Sequence, residues 1–229
     1  MGIPAAASRA APPVNPITVD DVQRCMAPHL PIYWWHKPGY QHVVISSLQS
    51  LWKPGLGRAL DVGGGTGVLA HTVKTLFGLQ HIASVDVHDR FLPSLNIETA
   101  VYDGVTLPFA DGSFDCVLLF NVLHHVSLAD RVPLLRECRR VAAQGPLYIK
   151  DHISRGMIDD ARLAVLDLLG NAPFRGMVRA NYLREADWRE LATAAGYELD
   201  DELSGEYRSG ITAALFPNRL ETCMRWCPR

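Results

Sequence analysis

The segment Asp61-Val62-Gly63-Gly64-Gly65-Thr66-Gly67 places an acid and four glycines between a short apolar run, Arg58 to Val62, and a helical stripe that begins at Val68. A glycine-rich turn between a strand and a helix lets a ligand approach the backbone closely. The helix start also offers unpaired N–H groups. Two nucleotide-binding readings compete for such a loop. The dinucleotide fingerprint needs glycine at the sixth position counted from Gly63, and Val68 stands there. An acid-x-G-x-G-x-G pattern fits Asp61, Gly63, Gly65 and Gly67 throughout. Further on, Asp86 closes a second apolar run, where a carboxylate can accept hydrogen bonds from two hydroxyls. His124 and His125 follow a fourth apolar run and Asp151 and His152 a fifth. Histidine titrates near neutral pH and is the usual base in proton transfer.

The elements that must position these groups alternate. Strands are expected at 58–62, 82–87, near 97–102, at 114–120 and at 146–151, with helical stripes through Val68, Val73 and Phe77 and through Leu134, Leu135, Cys138 and Val141. Buried apolar strands alternating with helices predict an α/β fold, a Rossmann-like doubly wound, mostly parallel sheet. Thr18 with Asp20 and Asp21 reads as a helix start, and Val43, Val44, Leu48, Leu51 and Trp52 recur at helical spacing. Beyond residue 152, helices are expected at 158–170 and 184–195. Two strands at 198–208 and 219–228, joined through Gly210 and Pro217, should pair antiparallel. The organisation is a flexible Ala/Pro-rich tail over 1–16, a helical cap over 17–57, and the main domain over 58–229 with a lid insertion at 153–182.

The 229 residues are 48% hydrophobic and 20% charged, which allows a full core and excludes global disorder. A net charge of −2 argues against a nucleic-acid partner. No apolar run approaches the ~20 residues needed to span a bilayer, so no membrane partner is expected. Five cysteines at irregular spacing suit neither a disulfide framework nor a zinc site, and no residue set demands a metal. The expectation is a soluble, cytoplasmic protein, monomer or homodimer.

These motifs in this order make the chain resemble the class I S-adenosylmethionine-dependent methyltransferases, the small-molecule UbiE-like type. The resemblance runs from Ala59 to Ile149 and rests on Leu60 to Gly67, Val85-Asp86-Val87, Tyr102-Asp103-Gly104, Leu107 to Asp115, Asn121 to His125 and Leu135 to Val141. It implies a seven-stranded sheet with an antiparallel last strand, S-adenosylmethionine as methyl donor and S-adenosylhomocysteine as product. It also implies a cofactor site made of Asp61, Gly63, Gly65, Asp86, Val87, Asp103, Gly104 and Asn121. In that site Asp61 would hold the methionine end, Asp86 the ribose hydroxyls and Asp103 the adenine amino group. Asn121 would lie beside the sulfonium, where its carbonyl dipole could favour the positive charge. One departure is Ala142-Ala143-Gln144-Gly145, where the family usually carries a basic residue, proline and two glycines.

Methyl transfer from a sulfonium is an in-line displacement that needs an aligned nucleophile and exclusion of water. The candidate catalytic residues are His152, His125 and Asp151, with His124 read as structural. Tyr33, Trp34, Trp35, His36 and Tyr182 are expected to bind the acceptor. Aromatic walls stack flat rings, so the expected acceptor is a small planar molecule, an indole or phenol from natural-product or other small-molecule metabolism. Val122 and Leu123 after Asn121 replace the Pro-Pro of enzymes that methylate exocyclic amines of bases or protein glutamine. The alternatives are an O- or N-methyltransferase of a non-aromatic small molecule and, from another class, a partner protein that binds the cofactor without turnover.

Overall fold

The computed structural model describes residues 15–30, 38–171 and 180–229. Among these, seven strands form one sheet in the order β3-β2-β1-β4-β5-β7-β6. They are β1 Arg58–Val62, β2 His81–Asp86, β3 Glu98–Val101, β4 Cys116–Phe120, β5 Leu147–His152, β6 Tyr197–Leu203 and β7 Glu221–Pro228. The helices are α1 Val19–Met26, α2 Pro38–Leu51, α3 Val68–Phe77, α4 Arg131–Val141, α5 Met157–Asn171, α6 Glu185–Ala195 and α7 Gly210–Leu215. Strands β1 to β5 pair in parallel. β7 runs antiparallel between β5 and β6, as the family resemblance implied.

Strand order reverses between β1 and β4, and in doubly wound sheets ligands lie in the crevice outside the carboxyl ends at such a switch point. β4 and β5 are buried along their whole length, the consequence of helices on both faces. One layer holds α1, α2 and α3, whose Val22, Met26, Ile45, Leu48, Leu51, Val73 and Phe77 meet Ile82, Leu118 and Tyr148 of the sheet. The other holds α4 and α6, with Leu134, Leu135, Cys138, Trp188 and Ala192 against Val117, Leu119, Ile149 and Trp226. Trp52, just past α2, stacks on Tyr148 at 4.9 Å and meets Phe77 edge-on at 4.8 Å. Thr18 and Asp21 cap α1 reciprocally, which fixes its start where the sequence placed it.

Element ends differ from expectation by a few residues, most at β6, expected to reach residue 208 and ending at Leu203. The segment joining the last two strands contains α7 and a 3-10 turn at Asn218–Leu220. It is closed where the Asn218 side chain accepts from Arg208 N–H (2.9 Å) and donates to Arg208 C=O (2.9 Å). The third strand is only four residues long, an edge strand with little burial.

Candidate active site

The glycine loop turns directly out of β1. Gly63 and Gly64 donate their N–H groups to Val85 C=O of β2 at 2.7 and 3.0 Å, tying the loop to the neighbouring strand. Beneath it, Asp61 is buried and accepts a 2.8 Å hydrogen bond from Ser84 Oγ. Burial pushes the Asp61 carboxyl up, the Ser84 hydroxyl opposes this, and the nearby Asp86 charge adds to it, leaving a value of about 7. Among the described residues its one side-chain hydrogen-bond partner is a neutral hydroxyl, so a cationic group brought beside it would favour the charged form. Gly64 is forced by close approach: a Cβ there would stand 1.8 Å from Ser84 Oγ and 2.4 Å from Asp61 Oδ2. Gly65 has φ +60°, and a Cβ there would meet nothing within 4 Å, so its face is open.

At the end of β2, Asp86 is 3% exposed and its carboxylate is already engaged. Gly65 N–H donates at 2.8 Å, His88 N–H at 3.0 Å, and Arg90 Nη2 reaches both oxygens at 3.2 Å. A ribose that used this carboxylate would share it with, or displace, Arg90. Val87 is half-buried next to it. Asp103 lies exposed after β3, where its Oδ1 accepts from Val105 N–H (2.8 Å) and Thr106 N–H (2.6 Å). Those backbone hydrogen bonds hold its carboxyl below the ordinary value. Gly104, at φ +95°, sits beside Val87.

Asn121 leaves β4 with φ +57°, the single non-glycine residue with positive φ among the described residues. Lys150 of β5 explains how it is held. Its C=O accepts Asn121 N–H at 2.7 Å, and its Nζ donates to Asn121 Oδ1 at 2.6 Å. The side-chain carbonyl is therefore turned to an ammonium, and a cofactor sulfonium would share that oxygen with it. Lys150 also bonds Tyr40 of α2 at 2.5 Å and pairs with the fully buried Glu221 of β7. Glu221 pairs further with Arg208 and stands 3.2 Å from His152 Nδ1. Against burial, these cations hold Glu221 far below the carboxylate range.

The histidines form a second group at the carboxyl ends of β4 and β5, joined to the first where His152 meets Glu221. Asp151 is fully buried; His124 Nδ1, Leu123 N–H (3.0 Å) and His152 N–H (2.7 Å) all use its carboxylate. His124 is fully buried as well. Burial disfavours its charge, but Asp151 and Asp167 outweigh this and raise it to about 9. Asp167 reaches in from α5. Its Oδ2 lies 3.5 Å from His124 Nε2, its Oδ1 lies 3.4 Å from His152 Nε2, and it accepts from Tyr182 Oη at 2.5 Å. Both rings hold the Asp167 carboxyl down against its burial. His152 is 4% exposed and raised despite burial, because Glu221 and Asp167 face its two nitrogens. His125 is half-buried, with its ring centroid 4.0 Å from that of His124.

The fold thus gathers Asp61, Gly63, Gly65, Asp86 and Val87 at one end of the crevice. Asn121, His125, Asp151, His152 and Tyr182 gather at the ends of β4 and β5. The Asp151 carboxylate is fully buried and taken up by the His124 ring and the Leu123 and His152 N–H groups. Tyr33, Trp34, Trp35 and His36 lie outside the described residues. Sequence reasoning missed Ser84, Arg90, Lys150 and Glu221. The spacing carries no signal for them, since Lys150 and Glu221 are 71 positions apart. No helix among the described residues is long and apolar enough to cross a membrane.

Residues 60–149 match the family model described as a methyltransferase domain. A malonyl-[acyl-carrier protein] O-methyltransferase of Geobacter sulfurreducens is 28% identical over 170 residues, 69% of this chain and 63% of that protein. A flavonoid 4'-O-methyltransferase of Glycine max is 24% identical over 155 residues, 63% of this chain and 41% of that protein. The chain therefore spans less than two thirds of these curated relatives. Among solved structures, CalO1, a methyltransferase in calicheamicin biosynthesis in its SAH-bound form, superposes with a TM-score of 0.57. It is 21% identical, with 93% of this chain and 61% of that one covered, a likeness of fold. Residues 60–149 are a class I S-adenosylmethionine-dependent methyltransferase domain of the UbiE-like kind, set in the seven-stranded sheet of that class.

Proposed function

We propose that the chain transfers a methyl group from S-adenosylmethionine to an oxygen of a small, planar acceptor of the phenol type. The observation that carries this reading is the histidine–carboxylate cluster at the carboxyl ends of β4 and β5, three residues beyond Asn121. An indole or arylamine nitrogen can attack once aligned, whereas a hydroxyl must also lose its proton. A group positioned to handle that proton contributes ~10²–10⁴ in rate. Both curated relatives are O-methyltransferases, which favours oxygen.

When bound, the cofactor supplies an electrophilic methyl on a sulfonium. Asp61 receives its ammonium group, Gly63 and Gly65 give it access to backbone, and Asp86 takes the ribose hydroxyls with Val87 alongside. Asp103 and Gly104 border the adenine, and Asn121 borders the reacting end. His125, the half-buried member of the cluster, meets the acceptor oxygen. His124, oriented by Asp151, supports it, and His152 holds Asp167 in place. Tyr182 borders the acceptor.

Incubation with S-adenosylmethionine and matched phenols, indoles and arylamines, reading released S-adenosylhomocysteine, tests the proposal. Phenols should turn over, and His125→Ala should lower their kcat/KM by about 10². Turnover confined to arylamines, unchanged by His125→Ala, would overturn the choice of oxygen.

A further inference from the structure

The cluster has a geometry that a network of ion pairs alone does not explain. His124 Nε2 is buried and makes no hydrogen bond. It stands 3.5 Å from Asp167 Oδ2, outside the ~2.7–3.2 Å of an N–H···O bond. Two ligands of one tetrahedral cation, each ~2.0–2.2 Å from it, lie about 3.4 Å apart. One ligand atom each from His124, His125 and Asp167 lies within 4.8 Å of the others. The first and last are braced from behind. Asp151 engages His124 Nδ1 and so turns Nε2 toward Asp167. Tyr182 donates its hydroxyl to Asp167 at 2.5 Å. A carboxylate behind a ligating imidazole and a hydrogen bond to a ligating carboxylate are the usual supports of a protein metal site.

We propose that His124, His125 and Asp167 bind one divalent first-row cation, zinc being the simplest probe. Two imidazoles and one carboxylate leave coordination positions open for an oxygen ligand. The site stands without the methyl-transfer reading, and only its use rests on that reading. A phenolic oxygen bound to the cation becomes more acidic, and its proton leaves to solvent. His125 is then a ligand, which is how the cluster removes the acceptor's proton.

The test uses the full chain, stripped with a chelator and titrated with zinc by calorimetry and with cobalt(II) by visible absorption. One equivalent should bind, with d–d bands and no thiolate charge-transfer band. That band matters because Cys25 and Cys227 are only partly buried free thiols. Asp167→Asn, which keeps the side-chain shape, should weaken binding at least tenfold. Asp151→Asn, acting from behind His124, should weaken it about 10–100-fold. Thermal melts confirm that both variants are folded. Absence of uptake, equal affinity in wild type and Asp167→Asn, or a thiolate band would overturn the assignment. S-adenosylhomocysteine titrated into the same stripped protein reads the cofactor site separately, so the two proposals fail independently.

Discussion

Gly64→Ala will weaken S-adenosylhomocysteine binding by about a hundredfold, roughly 2.7 kcal/mol. The added methyl cannot coexist with Ser84 Oγ at 1.8 Å and Asp61 Oδ2 at 2.4 Å. Either Ser84 must abandon its hydrogen bond to a buried carboxyl or the loop must lift off β2. Leaving that carboxyl unpartnered costs ~1–3 kcal/mol, and lifting the loop breaks the Gly63 and Gly64 bonds to Val85 C=O. Both routes displace the surface that faces the ligand. Gly78→Ala is the control, since Gly78 has φ +65° but a Cβ there would meet nothing within 4 Å. It should cost about 1 kcal/mol of stability and leave affinity unchanged. Calorimetry with thermal melts on both variants separates a lost site from a lost fold.

Affinity for S-adenosylhomocysteine will rise about tenfold per pH unit below pH 7 and level off above it. Asp61 titrates at about 7 in the free protein, because burial and Asp86 outweigh Ser84. A bound ammonium favours the carboxylate, so below pH 7 binding must expel a proton, and each unit of pH costs ~1.4 kcal/mol. Asp61→Asn should flatten the profile and fix affinity near the low-pH value of the wild type. The same group sets a stability trend. Its folded value lies above the ordinary 3.8, so its contribution is full at low pH and declines as pH rises from about 4 to 7. Titrations at pH 5, 6, 7 and 8 in buffers of different ionisation enthalpy count the released proton. A flat wild-type profile would contradict the role of Asp61.

Most of the fold is legible in the sequence because parallel strands buried on both faces read as plain apolar runs. Val117 to Phe120 could hardly be anything else. The loop is legible because its glycines are sterically required: the backbone at Gly64 passes within van der Waals contact of Ser84. The ends of β2 and β4 follow from motif order. What stays hidden depends on register and distant packing. Ser84 sits inside an apolar run and looks like filler until parallel pairing sets it opposite Asp61. His124 reads as a helix-start residue, yet the pairing of Phe120 with Lys150 brings it to Asp151. Asp167 lies on a helix with exposed Val165, Leu168 and Leu169 and carries no local sign that it faces inward. Lys150 and Glu221 find each other only because β7 inserts beside β5.

On the proposed reading, this crevice binds S-adenosylmethionine through the loop and the acid at the end of β2. Calorimetric titration of S-adenosylhomocysteine into wild type and Asp86→Ala, with NAD as control, tests it most directly. Asp86 organises Gly65, His88 and Arg90 around one carboxylate, so its loss removes both the ribose acceptor and the brace of the loop. Micromolar binding by the wild type, weakened ~10–100-fold by Asp86→Ala and absent for NAD, is the predicted result. Undetectable binding of S-adenosylhomocysteine, or tighter binding of NAD, would contradict it.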